Sequence, residues 1–342
     1  AFVEEALTSN QNLHASWARV ERARGLARKA GSEDFPVLSA DTGASYTKTR
    51  INDGATGSTK EVQSYDVGVL ASYEVDLWGR VRAATASAEF AAVASLEDLN
   101  AAAMTIAAEV ANRWIGILAA EREQHLLQLQ LQTNRTKLEL VELRFQKSLA
   151  SALDVMQQRQ LVERVRARIP LAQMQARLLR NELAVLLGRM PGELPEIVTE
   201  KLPGLTDIPA AGVPARLLEN RPDIRAALSR LEAAEQNLIV ARADRLPALR
   251  LTGRAAYDSD TVERLFDNWL LNLAAGLTAP LLDGGRRKAE VEATGAAVRE
   301  QLALYRQTVL NAVREVEEAL VREVNIREYI DRTEDQLRAA KS

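Results

Sequence analysis

Tyr65-Asp66-Val67-Gly68-Val69-Leu70-Ala71-Ser72-Tyr73-Glu74-Val75-Asp76 alternates: odd positions are apolar and even positions mostly small or acidic. Successive side chains on a strand point to opposite faces, so a period of two gives one apolar face and one polar face. Tyrosines stand near both ends of the apolar face. Three further segments share the pattern. Leu38, Ala40, Ala44 and Tyr46 oppose Ser39, Asp41, Ser45 and Thr47. Leu249, Leu251, Ala255 and Tyr257 oppose Arg250, Thr252 and Arg254. Trp269, Leu271, Leu273, Ala275 and Leu277 oppose Asn268, Asn272 and Thr278. A half-buried sheet in a soluble protein accounts for any one of these. Four strands of roughly ten residues with interfacial aromatics also meet the needs of a membrane barrel.

An internal duplication ties the strands together. Ala15-Ser16-Trp17-Ala18-Arg19-Val20-Glu21 aligns with Ala226-Ala227-Leu228-Ser229-Arg230-Leu231-Glu232, and Phe35-Pro36-Val37-Leu38 with Leu246-Pro247-Ala248-Leu249. At a slightly shorter offset Gly79-Arg80 falls on Gly285-Arg286. The change of offset lies in the polar loops between the strands, where length varies freely. Each copy reads helix, strand, loop, strand, helix. Leu38 maps to Leu249 and Tyr46 to Tyr257, so the faces agree between copies.

The helices decide between the two readings. From Gly79 to Lys147 there is no proline, and Gly116 is the only internal glycine. Ile106, Val110, Trp114, Ile117, Leu140 and Leu143 recur at helical spacing. At ~1.5 Å per residue this is roughly 100 Å of helix, which no globular domain accommodates. Ser148 to Ser151 breaks the run, and a second helix follows to Leu187, with Gly188, Pro191, Gly192 and Pro195 as stop signals. Pro170 predicts a kink within it. Asp223 after Pro222 suits the first turn of the next helix. Matched strand faces joined to such helices favour the membrane barrel. On that reading Leu38, Ala40, Tyr46, Tyr65, Val67, Val69, Tyr73, Leu249, Leu251, Tyr257, Trp269, Leu271, Leu273 and Leu277 face lipid. Asp41, Asp66, Ser72, Glu74, Arg250, Arg254 and Asn272 face the lumen.

Composition agrees with long helices: aromatic residues make up 4% of the 342, and the net charge of −3 favours no nucleic-acid partner. There is no cysteine, so disulfides and cysteine-held metals are excluded. The longest apolar stretches, such as Ala101–Ala108, are too short for a membrane helix. The chain starts at Ala1 without an export signal and ends in a polar helical pattern at Lys341-Ser342, and is read as part of a longer protein. No chemistry is legible. Trp78-Gly79-Arg80 and Gly284-Gly285-Arg286 lack the spacing and the lysine of a phosphate loop. Glu121, Glu123 and His125 lack a second histidine and read as a solvated helix face, as do Arg159, Arg164, Arg166 and Arg168. No catalytic constellation, cofactor site or metal site is assigned.

Several junctions together carry a resemblance. Asp76-Leu77-Trp78-Gly79-Arg80-Val81-Arg82, Ala279-Pro280-Leu281-Leu282-Asp283-Gly284-Gly285-Arg286, Glu219-Asn220-Arg221-Pro222-Asp223-Ile224-Arg225 and Leu186-Leu187-Gly188-Arg189-Met190-Pro191-Gly192 resemble, in order, the strand-to-helix, repeat-opening and hairpin-closing motifs of TolC-like outer-membrane efflux proteins. The nearest subgroup is the outer-membrane component of resistance–nodulation–division pumps. The resemblance implies a homotrimer in which each chain gives four strands to one shared barrel, on a coiled-coil α-helical tube crossing the periplasm. It implies passive export of small molecules such as drugs or metals, with a periplasmic adaptor, an inner-membrane pump and outer-membrane lipid as partners. It implies no enzyme activity. Type I protein secretion, or a structural periplasmic coiled coil such as an adaptor, are the alternatives.

The implied organisation is a periplasmic helix (1–34), a barrel hairpin (35–78), a long helical hairpin (79–189) with its tip near 148–151, and a connector (190–213). A second helix (214–246), a second barrel hairpin (247–283) and a truncated long helix (284–342) follow. The tip, with Arg144, Phe145, Ser148, Leu149, Ala150, Ser151, Leu153 and Asp154, is expected to dock the adaptor. Arg144 and Asp154 are expected to pair across the turn, and Ser151 to cap the second helix. Asn10-Gln11-Asn12-Leu13 stands where the family usually has proline, and Ser148 where glycine is common. The second helical hairpin is missing, so no gate residue is assigned.

Overall fold

A computed structural model of the chain describes residues 1–53, 56–194 and 220–341. They fall into two compact units, Ala1–Ala18 with Asp98–Val213, and Arg19–Glu97 with Pro214–Ser342.

The second unit contains the sheet, built of β1 (Val37–Asp53), β2 (Thr56–Val75), β3 (Ala248–Ser259) and β4 (Trp269–Thr278). The strands are antiparallel in the order β1-β2-β3-β4, so the two duplicated hairpins are neighbours. The β2–β3 ladder joins them from Tyr65↔Ser259 to Val75↔Leu249. The first hairpin is longer than the sequence reading allows, with 17 residues in β1 and 20 in β2. What reads as a polar loop continues both strands. Thr47, Thr49 and Ile51 keep a β-branched residue at every second position, which suits a pleated surface even without burial.

Among the described residues six α-helices flank these strands in sequence: α1 (Phe2–Ser9), α2 (Gln11–Gly31), α3 (Arg80–Gln146), α4 (Ala152–Leu186), α5 (Pro222–Ala243) and α6 (Arg286–Lys341). The single helix expected over 1–34 is divided at Asn10, whose backbone is extended at φ −69 and ψ 123. Its side chain gives the break a purpose. The Asn10 Oδ1 accepts from Asn12 N at 2.9 Å and Leu13 N at 3.2 Å, capping α2. The Nδ2 donates to Leu186 O at 2.8 Å, fixing the break against the end of α4.

In the first unit α3 and α4 form a hairpin. Ala6, Leu13, Ile106, Val110, Ile117, Leu118, Leu183 and Leu187 make one buried cluster, and Leu127, Val165 and Ala172 a smaller one. Gly116 lets the helices approach, since a Cβ there would lie 3.3 Å from Leu179 Cδ1. By composition alone an 18-residue window of α3 is apolar enough to cross a membrane, contrary to the sequence reading. Ile106, Val110 and Ile117 of this helix are buried in the hairpin cluster. The charged residues read as solvated faces also act across the hairpin. Arg159 pairs with Glu142 at 2.7 Å, Arg168 with Glu123 at 3.2 Å, Arg180 with Glu121 at 2.5 Å and Arg113 with Glu182 at 2.7 Å. Pro170 lies inside α4, which continues past it.

The helix α4 ends in a left-handed Gly188 with φ +72; Arg189 N donates to Ala184 O and Gly188 N to Val185 O, the two bonds of a Schellman cap. The connector expected over 190–213 and Glu219 lie largely outside the described residues. In the second unit Arg225 pairs with the buried carboxylate of Glu97 at 2.6 Å. Arg221 joins Asp223 in the first turn of α5 to Glu315 of α6, at 2.8 and 2.7 Å. That pairing holds the Asp223 carboxyl below its usual range.

Candidate functional site

The register sorts the sheet into two chemically distinct faces. Residues directly opposite each other share a face. Leu38, Ala40 and Tyr46 on β1 therefore stand with Tyr65, Val67, Val69, Ala71 and Tyr73 on β2. Leu249, Leu251 and Tyr257 on β3 and Trp269, Leu271, Leu273 and Leu277 on β4 lie on the same face. Asp41, Asp66, Ser72, Glu74, Arg250, Arg254 and Asn272 lie together on the other. Leu70 and Leu270 also fall on that polar face.

The apolar face has a defined height. Tyr46, Tyr65, Tyr257 and Trp269 cluster at one end, and Val75, Leu249 and Leu277 at the other. From Tyr65 to Val75 is about 34 Å along the strand at ~3.4 Å per residue. Tilted by about 40°, this spans ~26 Å, close to the ~25 Å apolar band of outer-membrane barrels. Beyond Tyr46 the same face turns polar, with Lys48 paired to Glu61 at 2.6 Å.

The polar face carries two layers of charge. At one level Arg254 Nη2 donates to Asp41 Oδ2 at 3.0 Å and Asp66 Oδ2 at 3.1 Å, so one guanidinium reaches three strands. At the end nearer the helices Glu74 accepts from Arg80 Nε at 2.8 Å and lies 3.5 Å from Arg250.

The strand-to-helix junctions use carboxylates that sequence reading missed. Asp76 accepts from Val81 N and Arg82 N, both at 3.1 Å, and caps α3. Partial burial pushes its carboxyl up, but the bonds from Arg82 and Val81 outweigh this and hold it below the usual range. Asp283 caps α6 through Arg287 N at 3.2 Å and Gly285 N at 3.1 Å, and those bonds, Arg287 first, hold its carboxyl low as well. An acid just before a glycine-led helix is a start signal that could have found both. Trp78 donates from Nε1 to Pro247 O at 2.7 Å, tying the two copies' junctions together. A cleft of about 820 Å³ lies here, lined by Glu74, Arg80, Arg250 and Arg287 among others.

At the other end of α3 the turn is a second Schellman cap. Leu149 N donates to Arg144 O at 2.8 Å and Ser148 N to Phe145 O at 2.9 Å. Ser148 takes the left-handed position with φ +59, alone among the described non-glycine residues. Ser151 caps α4 in a reciprocal box: its Oγ accepts from Asp154 N at 3.2 Å, and its N donates to Asp154 Oδ2 at 2.8 Å. Those bonds, the backbone one first, lower the Asp154 carboxyl's pKa. The expected Arg144–Asp154 pair does not form. Asp154 is held by Ser151, and Arg144 contributes its carbonyl to the turn. Phe145, Leu149 and Leu153 are exposed, Leu149 by 76%, beside a cleft of about 470 Å³ lined by Arg144, Leu149, Ala150 and Asp154 among others.

Comparison with known proteins gives this geometry a context. The model of the outer membrane efflux protein family matches residues 2–189 and 213–342. The pyoverdine export outer membrane protein OpmQ of Pseudomonas aeruginosa is 35% identical over 326 residues, covering 94% of this chain and 69% of its own. Outer membrane protein OprJ of the same species is 32% identical over 352 residues, covering 99% of this chain and 71% of its own. The solved outer-membrane channel OprN superposes with a TM-score of 0.91 at 27% identity, covering 96% of this chain and 74% of that one.

Proposed function

Because the chain belongs to the outer membrane efflux protein family, and so is the outer-membrane channel component of a tripartite efflux pump, we propose that three copies close one barrel of four strands each. The family is one of channels rather than enzymes. The channel is a passive conduit for small molecules, with the long helices forming a tube through the periplasm toward an adaptor and an inner-membrane pump. The observation that carries this reading is a four-stranded sheet with an apolar face of membrane height and two unpaired edges, β1 and β4. Open edges are not viable in lipid, so closure requires further copies. The two chemistries of the sheet then have natural assignments, the apolar face to lipid and the polar face to a water-filled lumen.

Closure is tested with disulfides, because the chain has no cysteine of its own. Cysteine pairs scanned along β1 and β4 of the full-length protein must yield covalent trimers under mild oxidation. Scanning is needed because barrels stagger their strands. A folded, detergent-free monomer that forms no such links overturns the barrel.

The hairpin tip is read as the adaptor's contact. Phe145, Leu149 and Leu153 offer apolar surface, and Ser148, Ala150 and Ser151 are small enough for another helical hairpin to approach closely.

A further inference from the structure

The charge cluster around Arg254 does more than join strands. Gly68 lies between Asp41 of β1 and Ala256 of β3 on the polar face, and a Cβ there would sit 2.8 Å from Ala256 Cβ. Gly43 faces Asp66, and a Cβ on it would sit 2.5 Å from Asp66 Oδ1. Two side-chain-free positions thus leave the room in which Arg254 crosses β2 to reach Asp41 and Asp66. One further acid at this level has no such partner among the described residues. Asp258 stands directly opposite Asp66 in the β2–β3 ladder, on the same face. Like charges placed directly opposite across strands are destabilising. Breaking a local rule of this kind is expected where function, rather than stability, sets the residue.

We propose that Arg254 sets the ion preference of the channel. Asp41, Asp66 and Asp258 against one guanidinium leave two net negative charges per chain at this level. In the layer nearer the helices Glu74 is shared by Arg80 and Arg250, so no excess of carboxylates stands there. Rings of carboxylates make a pore prefer cations. Arg254 moderates that preference by cancelling one of three, and so keeps the lumen passable to anionic cargo. The proposal rests on the polar face lining the lumen. It goes beyond that reading in naming the residue that tunes what passes.

The test is the reversal potential of full-length channels in planar bilayers under a potassium chloride gradient, at low and high salt. Near 0.01 M salt the screening length is ~30 Å and the ring is felt across the lumen; near 1 M it is ~3 Å and the effect fades. At low salt Arg254→Gln is expected to raise the cation-to-anion permeability ratio about twofold, and Asp258→Asn to lower it by a similar factor. Arg254→Lys keeps the charge but loses the forked donor, and should keep the wild-type ratio. If Arg254→Gln and Asp258→Asn both leave the ratio unchanged, the proposal is wrong. It is equally wrong if Arg254→Lys shifts the ratio as far as Arg254→Gln, since the residue would then act through its bridge and not its charge. A separate arm checks the premise. Asp258→Cys should lose conductance on exposure to a charged, water-soluble thiol reagent, and a channel that conducts but does not react places this face away from the lumen.

Discussion

Placing one arginine on either face of β2 tests the barrel most directly. Val69 stands opposite Ala40 and Ala255 on the apolar face, in the row that also contains Leu271. It lies about 14 Å along the strand from Tyr65 and about 20 Å from Val75, at ~3.4 Å per residue. It is therefore near the middle of the apolar band, where an arginine on the lipid side costs ~2–4 kcal/mol per chain. Ser72 is on the opposite face, three residues along the same strand, opposite Val37 and Thr252. Facing water, Ser72→Arg should change stability by no more than about 0.5 kcal/mol. The assay is reversible urea unfolding of the full-length protein in lipid vesicles, comparing each variant with wild type. Equal losses from the two substitutions would refute the assignment of faces. A larger loss from Ser72→Arg would mean that the sheet is inverted, with the carboxylates outward.

Three shorter predictions follow from the turn and the junctions. Ser148→Gly removes the cost of a left-handed L-residue, ~1–2 kcal/mol, against ~0.5–1 kcal/mol of extra backbone entropy lost on folding; the melting temperature should stay level or rise by a few degrees, and a fall would contradict the turn's geometry. Ala150→Trp should leave the trimer intact on a sizing column yet abolish drug efflux and crosslinking to the adaptor; full efflux with crosslinking retained would move the docking site elsewhere. Asp76 and Asp283 have lowered pKa values, so their caps are fully present above the unfolded value near 4 and are lost as pH falls through the folded one. The Asp76→Asn, Asp283→Asn double variant should therefore melt below wild type at pH 7, with the gap closing as pH falls below the unfolded value; a gap that does not narrow in acid shows that the carboxylates stabilise by something other than their charge.

The strands were legible because one face of each is mostly apolar over the span that alternates, and a period of two needs no knowledge of partners. Their full length was not. Thr47–Arg50 and Thr59–Glu61 are polar, and polarity alone does not distinguish a solvated strand from a loop. The longest helix, α3, announced itself through the absence of proline between Gly79 and Lys147, yet the ion pairs of the hairpin did not. Glu121 and Arg180 lie far apart in sequence and meet only because the hairpin folds back. The same holds for Arg254, whose alternation placed it on the polar face but whose two partners sit on other strands. Asp154 shows the opposite error. A long-range pair with Arg144 looked plausible across the turn, but Ser151, three residues away, captures the carboxylate with bonds that need almost no chain ordering.

The two copies solve the passage from sheet to helix by related means that have drifted apart. In both, the strand ends a few residues before a left-handed glycine, Gly79 in one and Gly284-Gly285 in the other. In both, an aspartate just ahead of the helix accepts its first amides. The first copy adds Trp78, whose indole spends its donor on Pro247 of the second copy, whereas the second copy has Asp283-Gly284 in the equivalent stretch. The physical demand is the same at each site. Along β2 and β3 the paired amides are satisfied by the flanking strands. At the helix start four amides lose their partners at once. A carboxylate just beyond the last apolar row, Val75 with Leu249 and Leu277, takes two of them at each junction. On the proposed barrel, the caps would mark the boundary between the two solvents, and their acid-sensitive charge makes that boundary a place where low pH should loosen the fold.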